Sequence, residues 1–275
     1  MKTIAIQGVR GAFHELAAYE YFDNNIQLLE CFTFSELCQK LKKKEADYAV
    51  MAIENTLAGA ILPNFSLLEE NAFHIHGEVF MRIEMNLIGQ KGQKIENLKE
   101  VQSHPMAILQ CKHFFENKPD IKLREIEDTA IGAKILSTSK EKNIGVIASN
   151  AAAKLYDLEI LAEGIETDKK NFTRFLILSN DEQYVKNANK ASIVFSLFHQ
   201  PGALVDILTI LKCHELNMTR IQSSPIIGKP LEYNFHIDLK WENYQYFKQA
   251  MEIVKRNVPE LRILGMYKEG QKDFN

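Results

Sequence analysis

Apolar and polar positions form two different patterns along the chain. In the N-terminal part, apolar runs such as TIAIQG and YAVMAIE alternate with segments of helical apolar spacing, for example from about Ser35. Strands separated by helices pair in parallel, because a parallel pair needs a long crossover connection. The alternation predicts two α/β lobes, about 1–75 with 171–180 and about 76–170. Such lobes enclose a cleft, where ligands gather at the carboxyl ends of strands.

The run NFTRFLIL (171–178) predicts a strand with an unusual start. Both of its faces are apolar after Arg174, which indicates a strand buried on both sides. Thr173 and Arg174 therefore need polar partners. In a regular strand the two side chains point to opposite faces, so both reach one ligand only if the backbone is irregular or a cleft wraps the strand end.

The C-terminal part has another order of elements. A polar stretch without periodicity places a linker at 181–190. The segment 191–275 follows the order βαββαβ, and EYNFHIDL alternates apolar residues with polar ones that include His236 and Asp238. This alternation predicts a half-buried antiparallel strand in a small sheet with helices on one face.

Composition narrows the class of protein. The 275 residues, 46% hydrophobic and 25% charged, are ordinary for a soluble protein of two or three units. Because 33 Lys and Arg stand against 36 Asp and Glu, no basic field is expected to hold nucleic acid. The apolar runs fall short of the roughly 20 residues that span a bilayer, and the N-terminus lacks a signal-peptide core. We therefore expect a cytoplasmic protein with no nucleic-acid or membrane partner.

The sequence contains no motif for a metal or a nucleotide cofactor. Its four cysteines form no C-x-x-C pair, and His74 and His76 have no third ligand, so we interpret them as solvated strand histidines. Signatures of the G-x-G-x-x-G, Walker and Ser-His-Asp types are missing, which disfavours nicotinamide, ATP and acyl-enzyme chemistry. Cofactor-free chemistry on an anionic small molecule, or simple binding, remains.

Two polar clusters lie where predicted strands end. The glycines and Arg10 of GVRGAF form either an anion-binding loop or a simple tight turn. Glu54, Asn55 and Thr56 follow a buried strand, where they either contact a ligand or form a cap or turn.

A third cluster, in SHPMAILQC, surrounds a predicted helix start. Proline is favoured at the first helical position, so Pro105 would make His104 the helix cap, and Ser103 and His104 either serve only in capping or also contact a ligand. Gln110 lies more than one turn beyond Pro105, and helical geometry alone does not bring it to the same pocket.

Taken in order, these motifs make the chain resemble prephenate dehydratase with a C-terminal ACT domain, along essentially its whole length. The motifs are GVRGAFHELAA, AIENTLAGAI, SHPMAILQC, EDTAIGA and NFTRF, followed by PGALVDIL, NMTRIQSSP and LGMY. The resemblance implies a periplasmic-binding-protein-like catalytic region at 1–180 and a ferredoxin-like ACT domain at 191–275. It also implies conversion of prephenate to phenylpyruvate in phenylalanine synthesis without cofactor or metal, feedback by L-phenylalanine, and a homodimer or homotetramer formed through ACT domains.

The resemblance also implies roles for individual residues. Thr173 would donate to the leaving oxygen, and Arg174 would clamp a carboxylate. The implied catalytic residues are Thr173, Arg174, Glu54, Asn55, Ser103 and Gln110. The implied substrate contacts are Arg10, Gly11, Ala12, Thr56, His104, Glu127 and Phe175. The implied regulatory contacts are Gly202, Ala203, Leu204, Asn217, Gln222 and Ser223.

The chain departs from the family pattern at several of these motifs. His14 stands where the family often has Ser, and Met106 stands where Gln is common. Gln222 and Ser224 replace a charged pair, which should alter the phenylalanine pocket or its coupling to the cleft.

Two other functions fit the same sequence. Arogenate dehydratase differs only in an amino group on the substrate, and no residue decides between the two reactions. A non-catalytic amino-acid sensor would also use a two-lobed cleft and an ACT domain. The intact Thr173, Arg174, Glu54 and Asn55 set disfavours the sensor, because a sensor has no need of a leaving-group donor.

Overall fold

The computed structural model describes residues 1–183, 185–226, 228–229 and 231–271. Tyr184, Ile227, Pro230 and 272–275, which the predicted linker and C-terminal domain include, lie outside the described residues. The chain divides into two compact units. The first unit contains Met1–Ile61 and Val79–Phe175, and the second contains Leu62–Glu78 and Leu176–Gln271.

Strands and helices alternate along most of the described chain. The strands are β1 (Lys2–Gln7), β2 (Ile26–Cys31), β3 (Tyr48–Asn55), β4 (Gly59–Ala60), β5 (His74–Arg82), β6 (Asn86–Gly89), β7 (Glu100–Ser103), β8 (Lys122–Glu125), β9 (Ile144–Ala148), β10 (Glu159–Ala162), β11 (Phe172–Ser179), β12 (Lys190–Ser196), β13 (Asn217–Pro225), β14 (Tyr233–Lys240) and β15 (Leu261–Tyr267). The helices are α1 (Phe13–Phe22), α2 (Phe34–Lys42), α3 (Leu62–Asn71), α4 (Pro105–Gln110), α5 (Lys112–Phe115), α6 (Thr129–Thr138), α7 (Asn150–Leu155), α8 (Ala203–Cys213) and α9 (Tyr244–Asn257).

The first sheet has the order β2-β1-β3-β11-β5, with β4 paired to β3. As predicted, β1 runs parallel to β2 and β3, and α1 and α2 both pack against β1 and β3. Every residue of β11 is buried, which confirms the predicted strand at 171–178.

The second sheet has the order β10-β6-β9-β7-β8 and is mixed. Strand β7 is parallel to β8 and β9, whereas β6 is antiparallel to β9 and β10. Side-chain caps set helix starts here, because Asp128 and Ser149 accept N–H hydrogen bonds at the first turns of α6 and α7. Small residues let these helices approach closely, and Val9 and Ala12 of the N-terminal glycine loop pack into the same core.

The second unit contains a four-stranded antiparallel sheet of order β13-β14-β12-β15. The element order β12-α8-β13-β14-α9-β15 confirms the predicted βαββαβ sequence of elements. Apolar residues of the strands, α8 and α9 form one core, which includes Ile193, Ile237, Phe247 and Val254.

The predicted exposure of the polar face of β14 is wrong. His236 and Asp238 are both only 3% exposed. One polar atom of each has a partner in the same unit: His236 Nε2 contacts the Glu69 carboxylate of α3, and Asp238 accepts a hydrogen bond from Ser192. Segment 62–78 of this unit supplies Glu69, so the polar side of the strand is buried and paired instead of solvated.

Candidate functional site

A cavity of about 370 Å³ lies within the first unit. It collects side chains from strand ends and helix starts that are far apart in sequence. The lining residues are Gln7, Ala12, Phe13, His14, Phe34, Ala52, Asn55, Ala58, Ile61, Ile83, Met85, His104, Met106, Ala107, Gln110, Glu127, Asp128, Thr129, Thr173 and Phe175. Seven residues that the sequence proposed as catalytic or substrate-binding are among them: Ala12, Asn55, His104, Gln110, Glu127, Thr173 and Phe175.

Asn55 at the end of β3 orients the Thr173 hydroxyl. Asn55 Oδ1 accepts the backbone N–H groups of Leu57 and Ala58, each at 2.9 Å, and this fixes which end of the amide is the donor. Asn55 Nδ2 then donates to Thr173 Oγ1 at 2.9 Å. Because the Thr173 oxygen already accepts a hydrogen bond, its own O–H remains available to donate into the cavity.

A second amide continues this network to Gln110. Asn171 is fully buried; its Oδ1 accepts from Asn55 Nδ2 at 2.7 Å, and its Nδ2 donates to Gln110 Oε1 at 3.0 Å. The Gln110 Nε2 group is thereby left as a donor. Helix α4 ends at Gln110, so tertiary structure brings this residue to the pocket although helical spacing did not predict it. Sequence reasoning missed the role of Asn171; its signal was an asparagine at the mouth of a buried strand.

Arg174 lies on the opposite side of β11 from Thr173. Its side chain is 2% exposed, with Nη1 at 3.7 Å from Glu54 Oε1 and Cζ at 5.7 Å from the centre of the Phe80 ring. Neither Arg174 nor Glu54 belongs to the described cavity lining. Of the two residues, Thr173 alone belongs to the described cavity lining, as expected for neighbours on opposite faces of a strand.

The other proposed site residues in this unit form structural hydrogen bonds outside the cavity lining. Ser103 is fully buried and donates to the Ile147 carbonyl at 2.7 Å. Thr56 donates to the Lys170 carbonyl at 2.8 Å and holds the start of β11 beside β3. Both hydroxyl protons are donated within the fold, and the roles that the sequence proposed for these two residues stay predictions.

The glycine loop is held by Glu15. Arg10 Nε lies 3.4 Å from Glu15 Oε1, and the Gly11 N–H donates to the same carboxylate. Gly11 has φ +92, and a Cβ there would lie 3.0 Å from Ala152 Cα, so this turn requires glycine. The loop N–H and Arg10 are thus already paired.

Two titratable residues at helix starts line the cavity. As predicted, His104 caps α4, with Nδ1 accepting the Met106 N–H at 3.2 Å. Burial lowers the pKa of His104, although Asp128 and Glu125 oppose this shift. Asp128 caps α6, and burial raises the pKa of its carboxyl against the stabilising backbone N–H bonds of Ile131 and Ala130. Asp128 was not predicted as a site residue.

His14 is the other histidine of the cavity, in the first turn of α1. Its ring makes an edge contact with Phe175, with centroids 5.0 Å apart, and a tilted contact with Phe34 at 5.6 Å. Burial lowers the pKa of His14 to about 3, so the ring is neutral at physiological pH. Its Nε2 atom is buried and has no hydrogen-bond partner among the described residues.

We expect His14 to reduce stability in acid. Its pKa of about 3 lies below the ordinary 6.5, so its contribution is complete above pH 6.5 and is lost as the pH falls towards 3. The loss is at most about 1.4 kcal/mol per pH unit. Urea unfolding of the wild type and His14→Gln between about pH 7 and about pH 5 measures the effect. The glutamine variant should lose less stability on acidification, and equal losses would contradict the prediction.

A second cavity, of about 260 Å³, lies in the second unit. Gly202, Ala203 and Leu204, which the sequence proposed as regulatory contacts, line it at the start of α8. Asn217, Gln222 and Ser223 lie on β13 and are not in its described lining. Ser224, which replaces a charged residue of the family pattern, donates to Glu69 Oε1 at 2.9 Å.

Among the described residues, no three His, Cys, Asp or Glu side chains are grouped so that they could hold a metal ion. None of the described helices has the length and apolar character needed to cross a membrane.

Comparisons with known proteins identify a family for this chain. Residues 4–183 match the prephenate dehydratase family. A bifunctional chorismate mutase/prephenate dehydratase from Aquifex aeolicus is 32% identical, over 96% of this chain and 73% of that protein. Arogenate dehydratase 2 from Petunia hybrida is 35% identical, over 96% of this chain and 71% of that protein.

Solved structures share the fold over nearly the whole chain. A prephenate dehydratase from Arthrobacter aurescens in complex with L-Phe has a TM-score of 0.86 and 24% identity, covering 97% of this chain and 90% of that one. A structure described as GqqA, a novel type of quorum quenching acylase, has a TM-score of 0.87 and 29% identity, covering 98% of both chains.

Proposed function

The chain belongs to the prephenate dehydratase family, and on that premise we propose that it converts prephenate to phenylpyruvate, water and carbon dioxide. The observation that carries this proposal is the Thr173 hydroxyl, which lines the cavity and is oriented by Asn55 so that its proton is free to be donated. A lyase of this kind needs a hydrogen-bond donor at the leaving oxygen, and the cavity offers one.

The chemistry requires little of the protein beyond this donor. The bond between the ring and its carboxylate breaks, the electron pair moves into the ring, and the ring carbon–oxygen bond breaks on the other side. Aromatisation drives both cleavages, and the departing hydroxide takes up one proton from solvent and leaves as water. Hydrogen-bond donation from Thr173 stabilises the charge that develops on this oxygen, and Gln110 Nε2 is a further donor in the same cavity.

The proposal extends to domain organisation and regulation. We assign 1–180 to a catalytic domain with a periplasmic-binding-protein-like fold and 191–275 to a ferredoxin-like ACT domain, joined by the 181–190 linker. The βαββαβ order and the antiparallel sheet order support the ACT assignment. L-phenylalanine is the proposed effector, bound near Gly202, Ala203 and Leu204 in a homodimer or homotetramer. The proposal includes a cytoplasmic location and no cofactor.

Arogenate is the alternative substrate, since a relative 35% identical is named for that activity. It carries an ammonium group where prephenate carries a keto oxygen. The described cavity lining includes Glu127 and Asp128, and a carboxylate would favour the ammonium substrate. Asp128 Oδ1 already accepts the N–H groups of Ala130 and Ile131, and we retain prephenate as the first substrate.

A turnover assay tests the proposed function. Purified protein is given prephenate or arogenate, and phenylpyruvate or phenylalanine is measured as product. We expect faster turnover of prephenate, and inhibition when the assay is repeated with added L-phenylalanine. Preferential turnover of arogenate would make arogenate, instead of prephenate, the assigned substrate. Binding without turnover of either compound would favour the sensor and overturn the enzyme proposal.

A further inference from the structure

Two short segments connect the first sheet to the second sheet and back. Residues 83–85 lead from β5 to β6, and residues 163–171, which we call the return segment, lead from β10 to β11. The two segments pair with each other, because the Ile165 N–H donates to the Met85 carbonyl at 2.7 Å. Ile83 and Met85 both line the cavity, so the return segment supports part of the cavity wall.

The return segment also contacts the end of α4. The Thr167 N–H donates to the Gln110 carbonyl at 2.8 Å, and Asn171 Nδ2 donates to Gln110 Oε1 at 3.0 Å. Both the backbone and the side chain of Gln110 are therefore held by this segment. Because Gln110 Nε2 is a donor in the cavity, the location of the return segment determines where that donor lies.

A buried carboxylate fixes the return segment. Glu166 is 2% exposed, and its Oε2 accepts the Met85 N–H at 3.0 Å. Its Oε1 faces two partly exposed cations, with Lys169 Nζ at 3.4 Å and Arg82 Nη2 at 3.7 Å. Lys169 Nζ also donates to the carbonyls of Glu166 and Gly164. Burying a charge is costly unless it is paired and hydrogen-bonded, and these contacts meet both conditions in a segment without helix or strand.

We propose that Glu166 is a positioning residue for the reaction: by holding Met85 and the return segment, its carboxylate sets the location of Gln110 in the cavity wall. This inference rests on the proposed function, in which Gln110 Nε2 is a donor to the substrate. Glu166 does not belong to the described cavity lining, so it acts through Gln110 and not on the substrate itself. A displacement of about 1 Å in such a group can cost about a hundredfold in rate.

Steady-state kinetics with prephenate test the role of the carboxylate. Glu166→Ala removes the acceptor of the Met85 N–H, and we expect kcat to fall about tenfold or more with KM within about threefold. Glu166→Gln keeps an acceptor of the same reach and should retain kcat within about threefold of the wild type. The control is Glu163→Ala, which removes an exposed carboxylate of the same segment and should leave kcat and KM unchanged.

A double-mutant cycle separates positioning from a purely structural role. In the Gln110→Ala background the positioned donor is already absent, so adding Glu166→Ala should lower kcat by less than about threefold. A purely structural role would lower kcat by the same factor in both backgrounds, and that result would overturn the proposal. A wild-type kcat in the single variant Glu166→Ala would overturn it as well.

Amide hydrogen exchange tests the same contacts without turnover. We expect Glu166→Ala to speed exchange of the Met85 and Thr167 N–H groups about tenfold or more, whereas Glu163→Ala should leave both rates unchanged. If the wild type does not turn over prephenate, the proposed function fails and exchange decides on Glu166. Faster exchange at both N–H groups then supports positioning by Glu166, and unchanged exchange overturns it.

A shorter carboxylate replaces the alanine variant if Glu166→Ala does not fold. Glu166→Asp keeps the charge, but its carboxylate lies one methylene further from the Met85 N–H. We expect the same fall in kcat, the same loss of that fall in the Gln110→Ala background and the same faster exchange. Wild-type kcat and wild-type exchange in Glu166→Asp would overturn the proposal.

Discussion

Replacing Thr173 by alanine should lower kcat for prephenate by about a hundredfold or more and leave KM within a few fold. The hydroxyl accepts from Asn55 at 2.9 Å and lines the cavity, so its proton is directed to a group that only the substrate supplies. A threonine hydroxyl is a poor acid, and we assign it hydrogen-bond donation to an oxygen that is already leaving. This stabilisation grows in the transition state, so its loss falls on kcat.

Two further substitutions at this position isolate the hydroxyl from the shape of the side chain. Thr173→Val keeps the shape and should be about as slow as Thr173→Ala. Thr173→Ser keeps the hydroxyl and should retain most of the wild-type kcat. Steady-state kinetics with prephenate, combined with a thermal melt of each variant, measure this. Near-normal turnover of Thr173→Ala or Thr173→Val would remove Thr173 from the mechanism.

The second large effect concerns stability and involves a buried ion pair in the second unit. Lys190 is 1% exposed and Glu78 is 3% exposed, with Nζ at 2.8 and 2.9 Å from the two carboxylate oxygens. The Gly270 N–H also donates to Glu78 Oε1 at 3.0 Å. Lys190→Met removes the Lys190 ammonium group from a buried carboxylate, and we expect it to lower the free energy of unfolding by about 3–5 kcal/mol.

Because the sequence has a single tryptophan, in the second unit, its fluorescence reports on the unfolding of that unit. Trp241 is 4% exposed in the core of the second unit and stacks on Phe247 with ring centroids 4.4 Å apart. Urea unfolding followed by tryptophan fluorescence should show an earlier transition for Lys190→Met, because this core reports on the same unit. A fluorescence transition at the same urea concentration as in the wild type would contradict the predicted contribution of the Lys190–Glu78 pair to stability.

Two controls separate the charge from the volume of the side chain. The double variant Lys190→Met with Glu78→Leu removes both buried charges and should recover most of the lost stability, as replacing a whole buried pair usually costs little. The exposed pair Lys91–Asp157, with side chains 66% and 82% exposed, is the surface comparison. Lys91→Met should change stability by less than about 1 kcal/mol.

The accuracy of the sequence predictions depends on the range of the interactions that decide them. Periodicity predicted the strand at 171–178 and the βαββαβ order, because both follow from which residues along a local segment are apolar. It was wrong for His236 and Asp238, because their partners Glu69 and Ser192 are distant in the chain. A local pattern contains no information on what covers a polar face.

The same contrast between local and long-range interactions holds for the residues of the candidate site. Residue type and motif order were sufficient to single out Thr173, Asn55 and Gln110, which the structure brings together through Asn171. The sequence also favoured Arg10 and Arg174 as anion contacts, since a cation is the obvious partner of a carboxylate. The structure pairs both with glutamates and leaves the first turn of α1 facing the cavity.

The sequence by itself determined the family, the order of elements and the position of the polar strand mouth at Thr173. These properties are encoded in short segments, where spacing and residue type fix local structure. Tertiary structure alone decided which polar atoms are already paired and which remain available, for example that Arg174 meets Glu54 while Thr173 lines the cavity. The reason is physical: hydrogen-bond satisfaction depends on groups that folding brings together from distant parts of the chain.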